Sequence, residues 1–171
     1  MKYLLWFTVP ALALDQWTKW QIRERLDLGT ELPVIPGFFS IVHVANTGAA
    51  FGLLQGNNLL FVVLAVVATA VILILLWRNR RSRPGATQFS ALNKTALALL
   101  LAGILGNLFD RLAHGQVTDF LHFYHDRYEW PSFNVADSCI CVAAGLLIID
   151  SFRSNNAQDK PDAQNIDKAE G

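Results

Sequence analysis

The chain has 171 residues, 53% of them apolar and only 16% charged, and its 14 Lys and Arg balance its 14 Asp and Glu. An ordinary soluble domain carries about 25% charge, so the composition points to lipid as the solvent. No basic surplus suggests a nucleic-acid partner. The length suits one compact helical bundle.

In chain order, the first apolar run covers about residues 4–22, the length a bilayer crossing needs. Ala11-Leu12-Ala13 resembles the cleavage site of a secretory leader. The run continues through Trp17 and Trp20, however, and three more apolar runs follow, which favours an uncleaved helix. Asp15 and Lys19 lie four apart on one face of it, a spacing that suits an internal ion pair. Residues 23–57 are mixed, with Pro33, Pro36, Gly37, Gly48, Gly52 and Gly56. Within them, Phe38 to Val44 has the β-branched and aromatic content of a strand. Asn46 to Gly52 is small and flexible, suited to a turn that approaches a ligand.

Residues 59–77 form the cleanest span, closed by Arg78, Arg80, Arg81 and Arg83. A third span is predicted over 95–112 and a fourth over 135–152, separated by a His- and Trp-containing loop over 122–130. The expected fold class is therefore an all-α membrane protein of four transmembrane helices, one domain over 1–153 with a polar, disordered tail over 154–171. Lys2, the basic cluster with Lys94, and the tail's Arg153, Lys160 and Lys168 fall on one side; Lys19, Arg23, Arg25, Arg111 and Arg127 fall on the other. The richer side is the cytoplasmic one, which places both termini inside.

This topology brings Asp15, Asn46, Asn107, Asp110, Arg111, Asp119 and Asp137 to one depth near the outer leaflet. Ionisable groups at such depth are expensive and mark function. Two carboxyl groups close together in a low dielectric share a proton, the state needed to split an amide with water. The structural alternative is equally open at this point: one aspartate paired with Arg111, the other capping a helix. Asn46 and Asn134 can hold a peptide backbone or simply form turns. Arg111 beside Asp110 reads as an orienting pair or an interfacial anchor. Asp126, Glu129 and Asp150 are expected to be solvated or interfacial. His114, His122 and His125 raise a metal centre, but the His-Glu-x-x-His pattern is absent. Cys139 and Cys141 read as apolar filler; two apart on a helix, they point to different sides. A small transporter with intramembrane acids is the main competing class, and an assembly protein held together by polar contacts is a third.

Five segments, taken together, resemble the bacterial lipoprotein signal peptidases (signal peptidase II): 15–19, 46–51, 106–111, 117–120 and 133–138. The likeness runs over about residues 4–152. It implies an intramembrane aspartic endopeptidase of the bacterial inner membrane, without metal or cofactor, that cleaves prolipoproteins just before a diacylglyceryl-modified cysteine. Asp119 and Asp137 match the family's catalytic pair. Asp15, Lys19, Asn46, Gly48, Asn107, Asp110, Arg111 and Asn134 match positions that support the pair or contact substrate. The resemblance also implies a small β-rich cradle on the outer face, with membrane lipid and the lipidated precursor as partners; nothing requires a second subunit, so a monomer is expected. One departure is Ala102-Gly103-Ile104, where family members commonly carry two glycines and an alanine. A last expectation is that the segment 38–52, with Gly48 and Gly52, closes over the bound peptide.

Overall fold

The computed structural model describes residues 2–48, 54–81 and 88–158, with side chains to Arg153. Gly52 and most of the tail therefore lie outside the described residues. A π-helical segment, Leu4–Thr8, runs directly into α1, Val9–Arg25. Strands β1 (Glu31–Ile35) and β2 (Phe39–Asn46) precede the long helices α2 (Asn58–Arg81) and α3 (Ala91–His114). Strands β3 (Val117–His125) and β4 (Tyr128–Glu129) then lead into α4, Val135–Gln158.

Three helical stretches, Asn58–Arg81, Ala91–His114 and Val135–Arg153, are long and apolar enough to cross a membrane. α2 carries exposed Val63, Leu64, Val66, Val67, Val71 and Ile74, the all-round apolarity of a helix that meets lipid rather than water. α3 is the central helix, packed by small residues where its neighbours come close. A Cβ on Gly103 would run into the Ala136 carbonyl and Ile140 of α4, and one on Gly106 would lie 2.5 Å from Asp15 Oδ2 of α1. Ile104, the departure from the family pattern, packs instead on the Ile72–Leu97–Leu101 cluster shared with α2. It leaves the contact with α4 untouched.

The ends of α3 follow from its sequence. The Ser90 hydroxyl accepts from Asn93 N at 2.9 Å, satisfying an orphan donor of the first turn. Gly115, at φ 73°, closes the other end in the left-handed conformation. Asp150, expected to be solvated or interfacial, accepts from Ser90 Oγ at 2.6 Å and from Asn93 Nδ2 at 3.2 Å, so it ties α4 to the start of α3.

The four strands form one antiparallel sheet in the order β1-β2-β3-β4. The predicted strand over 38–44 is β2. The stretch over 122–130, expected as a loop, is a correction: β3 continues to His125 and pairs with β4, with Tyr124 opposite Glu129. Its side chains give the reason, since Phe123 stacks on Phe39 and Phe133 and Ser40 Oγ meets the Tyr124 hydroxyl at 3.2 Å. Those contacts are cross-strand, so the local composition does not reveal them. β1 carries Pro33 and is exposed along its whole length, as an edge strand tolerates.

Candidate active site

Asp119 sits on β3 opposite Val44, and Asn46 lies diagonally across from it on β2. That register puts both side chains on one face, and Asn46 Nδ2 donates to Asp119 Oδ2 at 2.8 Å. Phe120 N and Leu121 N both donate to the Phe133 carbonyl, which holds the start of α4 against β3. Asn134 then reaches back, donating from Nδ2 to Asp119 Oδ1 at 2.7 Å. Both Asp119 oxygens thus accept from side-chain amides, and the residue is 2% exposed.

Asp137 enters from the first turn of α4. Asn134 Oδ1 accepts from Asp137 N at 3.0 Å, and Asp137 Oδ2 accepts from Asn134 N at 3.2 Å. This reciprocal pair is a capping box, so the capping role open in the sequence is present. The other oxygen, Oδ1, accepts from Asn107 Nδ2 at 2.7 Å. Asn134 therefore contacts both carboxyl groups, one through its amide and one through its backbone.

Behind these residues lies a second cluster. Lys19, with 0% exposure, pairs with Asp15 Oδ2 at 2.9 Å and Asp110 Oδ2 at 3.3 Å, and donates to Asn107 Oδ1 at 3.0 Å. The pair of Lys19 with Asp15, four residues away, is the one the spacing predicts. Asp15 Oδ1 accepts from Ala136 N at 2.8 Å, locking α1 to α4. Arg111 does not orient Asp110, because adjacent positions on a helix point apart. Its guanidinium donates to the Gly48 carbonyl at 2.7 Å and to Asn58 Oδ1 at 3.4 Å, and covers the Phe61 ring. Asp110 is taken by Lys19, by Arg23 at 3.5 Å, and by Thr118 N at 3.0 Å.

Every proposed site residue is thus in one network: Asp15, Lys19, Asn46, Gly48, Asn107, Asp110, Arg111, Asp119, Asn134 and Asp137. Sequence reasoning missed Arg23, Thr118, Asn58 and Phe61. Arg23 had a signal, lying four residues beyond Lys19 on the same helix face; Asn58, just ahead of the span predicted over 59–77, had none.

Asp119 and Asp137 open into a cavity of about 660 Å³, with Asn107, Arg111 and Gly48 on its polar side. Its apolar side is made by Phe61, Val117, Trp130, Phe133, Ile140, Cys141 and Val142. Cys141 therefore faces the cavity side of α4 rather than filling a core. Burial raises the Asp119 carboxyl to about 7, the nearby Asp137 charge pushes the same way, and hydrogen bonds from Asn46 and Asn134 and the charge of Lys19 oppose both. Such a group exchanges a proton near neutral pH. Among the described residues, no three His, Cys, Asp or Glu are grouped to hold a metal ion.

A family model described as signal peptidase (SPase) II matches residues 7–153. A lipoprotein signal peptidase of Symbiobacterium thermophilum is 44% identical over 141 residues, covering 82% of this chain and 88% of that protein. One from Alteromonas mediterranea is 41% identical over 160 residues, covering 91% and 84%. Among solved structures, a bacterial membrane enzyme superposes with a TM-score of 0.82 at 28% identity, covering 95% of each chain. On the family match and these identities, the chain belongs to the signal peptidase II family.

Proposed function

We propose that this protein removes the signal peptide from diacylglyceryl-modified prolipoproteins, cleaving just before the lipidated cysteine with water activated by Asp119 and Asp137. The observation that carries this reading is the placement of both carboxyl groups on one cavity, bridged by Asn134, with no cation paired directly with either among the described residues. At near-neutral pH the pair holds one proton between them. The ionised member takes a proton from water as the oxygen attacks the scissile carbonyl. The protonated member donates to the carbonyl oxygen as the carbon becomes tetrahedral, giving a gem-diol. Collapse breaks the C–N bond: one member of the pair gives its proton to the amine nitrogen while the other takes the proton of a diol hydroxyl, whose oxygen becomes the new carbonyl. A new carboxylate ends the signal peptide, a free amine begins the mature protein, and the pair returns to its singly protonated state.

The cavity composition fits a substrate that is half peptide and half lipid. The lining combines polar Asn46, Asn107 and Arg111 with apolar Phe61, Ile140 and Val142. In this reading the 22 helical residues from Leu4–Thr8 and Val9–Arg25 form a fourth span. Asp15 and Lys19 are tolerated in it because both face the bundle interior and are paired. Lys19 and Arg111 are committed to the buried network, which leaves few free basic residues on the outer side and supports cytoplasmic termini. The enzyme works as a monomer in the inner membrane, without a metal.

Purified enzyme on a lipidated precursor tests the reading. Asp119→Asn and Asp137→Asn should each lower kcat by about 10⁴-fold, the upper range of a lost acid–base group. Cleavage at the normal rate by either variant removes the pair from the mechanism. A strong chelator should leave turnover unchanged.

A further inference from the structure

We infer that Lys19 is a positioning residue: as a cation that can only donate, it fixes the polarity of the Asn107 amide, so that Asp137 receives a side-chain N–H. The inference rests on the aspartic reading above and adds to it a device that orients one member of the pair.

An ammonium has three N–H groups and no acceptor. In this structure the three are used by Asp15 Oδ2, Asp110 Oδ2 and Asn107 Oδ1, at 2.9, 3.3 and 3.0 Å. The Asn107 atom facing Lys19 must therefore be oxygen, and its NH₂ is turned toward Asp137 Oδ1. Asn107 Oδ1 also accepts from Asn134 Nδ2 at 3.3 Å. Asn134 presents NH₂ on this side, where it also donates to Asp119 Oδ1, because its Oδ1 is held by the donor-only Asp137 N. The buried cation thus dictates the Asn107 orientation, which delivers a side-chain donor to Asp137.

An amide end is nearly symmetric in shape, so without the cation only the longer contact from Asn134 Nδ2, at 3.3 Å, opposes Asn107 turning over. Its oxygen would then face Asp137, which an ionised carboxylate resists and a protonated one accepts. Lys19 removes that choice. Its charge also opposes the upward push on the Asp119 carboxyl. The other charged groups around the pair are Asp15 and Arg23 from α1, Asp110 and Arg111 from α3, and the two acids themselves from β3 and α4. The cavity wall from α2 brings Phe61 and, among the described residues, no charge.

The test measures kcat and KM of the full-length enzyme across roughly pH 5 to 9 on a lipidated precursor. Lys19→Met should lower kcat by about 100-fold, as a misplaced reacting group does, with KM held within about threefold. Its acidic limb should move to higher pH, because removing a cation disfavours the ionised carboxyl. Lys19→Arg keeps a donor-only cation and should restore the position of the optimum. Lys19→Met combined with Asp110→Asn leaves no net charge behind and should repeat the kinetic defect in a folded protein. An unchanged kcat and optimum in Lys19→Met, or an effect on KM alone, overturns the inference. So does failure of both Lys19→Met and the double variant to give folded enzyme, which would make Lys19 a scaffold residue. Asp119→Asn and Asp137→Asn in the same assay separate the two readings. If they abolish cleavage while Lys19→Met is normal, only the role of Lys19 falls; if they retain cleavage, the aspartic reading itself falls.

Discussion

Two pairs of aspartates stand close together in this protein and are treated in opposite ways. Asp15 and Asp110 share the Lys19 ammonium, with Arg23 adding a second cation to Asp110. Asp119 and Asp137 receive neutral amide and backbone N–H groups, and they face a cavity. A buried acid held by a cation serves as a tie between helices. Burial with neutral amide donors instead raises a carboxyl toward neutral pH, as at Asp119. In the function proposed above, the contrast separates scaffold from chemistry with the same side chain.

Substitutions should move the two pairs in opposite directions. Asp110→Ala strips Lys19 and Arg23 of a partner inside the bundle, and should lower stability by about 3–5 kcal/mol, the cost of leaving a buried charge unpaired. Thermal unfolding in detergent reads this directly, and an unchanged midpoint would erase the distinction. Gly106→Ala pushes a methyl onto Asp15 Oδ2, which Lys19 and Ala136 N hold in place. A loss of about 1–3 kcal/mol is expected from such overpacking, again as a lowered midpoint.

The smallest effect has the opposite sign. The Asp119 carboxyl goes from 3.8 unfolded to about 7 folded. Its contribution to stability is therefore full below about pH 4 and is lost as pH rises through about 7. Asp119→Asn should accordingly stabilise the fold at pH 8 by about 1–3 kcal/mol, a discounted part of that shift because one amide donor then meets an NH₂. The gain should shrink toward pH 5, as a midpoint series across pH would show. Stabilisation independent of pH would mean that burial of the charged form is not what sets this group apart.

Much of this was legible in the sequence for a physical reason. Long apolar runs report helices whatever surrounds them, and α2, α3 and α4 stand where 59–77, 95–112 and 135–152 indicate, each somewhat longer. The convergence of Asp15, Asn107, Asp110, Asp119 and Asp137 followed from helix direction alone. What stayed hidden depends on partners distant in the chain. The strand through His122 to His125 is stabilised by Phe39 and Ser40, about 80 residues earlier. Arg111 beside Asp110 reads as an orienting pair or an interfacial anchor, yet its carbonyl contact is Gly48. Asp150 reads as solvated or interfacial, and only the packing of α4 on α3 reveals it as a brace. Ile104 departs from the family pattern without consequence for the site, because it faces α2.

The bond from Ala136 N to Asp15 Oδ1 joins positions 121 residues apart. Asp15 and Lys19 are made first, but the groups that complete their coordination arrive on α3 and α4. A first helix inserted as a span, as proposed above, carries a charge pair that lipid tolerates poorly until the final helix docks. Both aspartates of the proposed catalytic pair are also supplied late, by β3 and α4. On that reading the reaction centre is complete only once α4 has docked, and a chain cut before α4 lacks both Asp137 and the Ala136 N–H that holds Asp15.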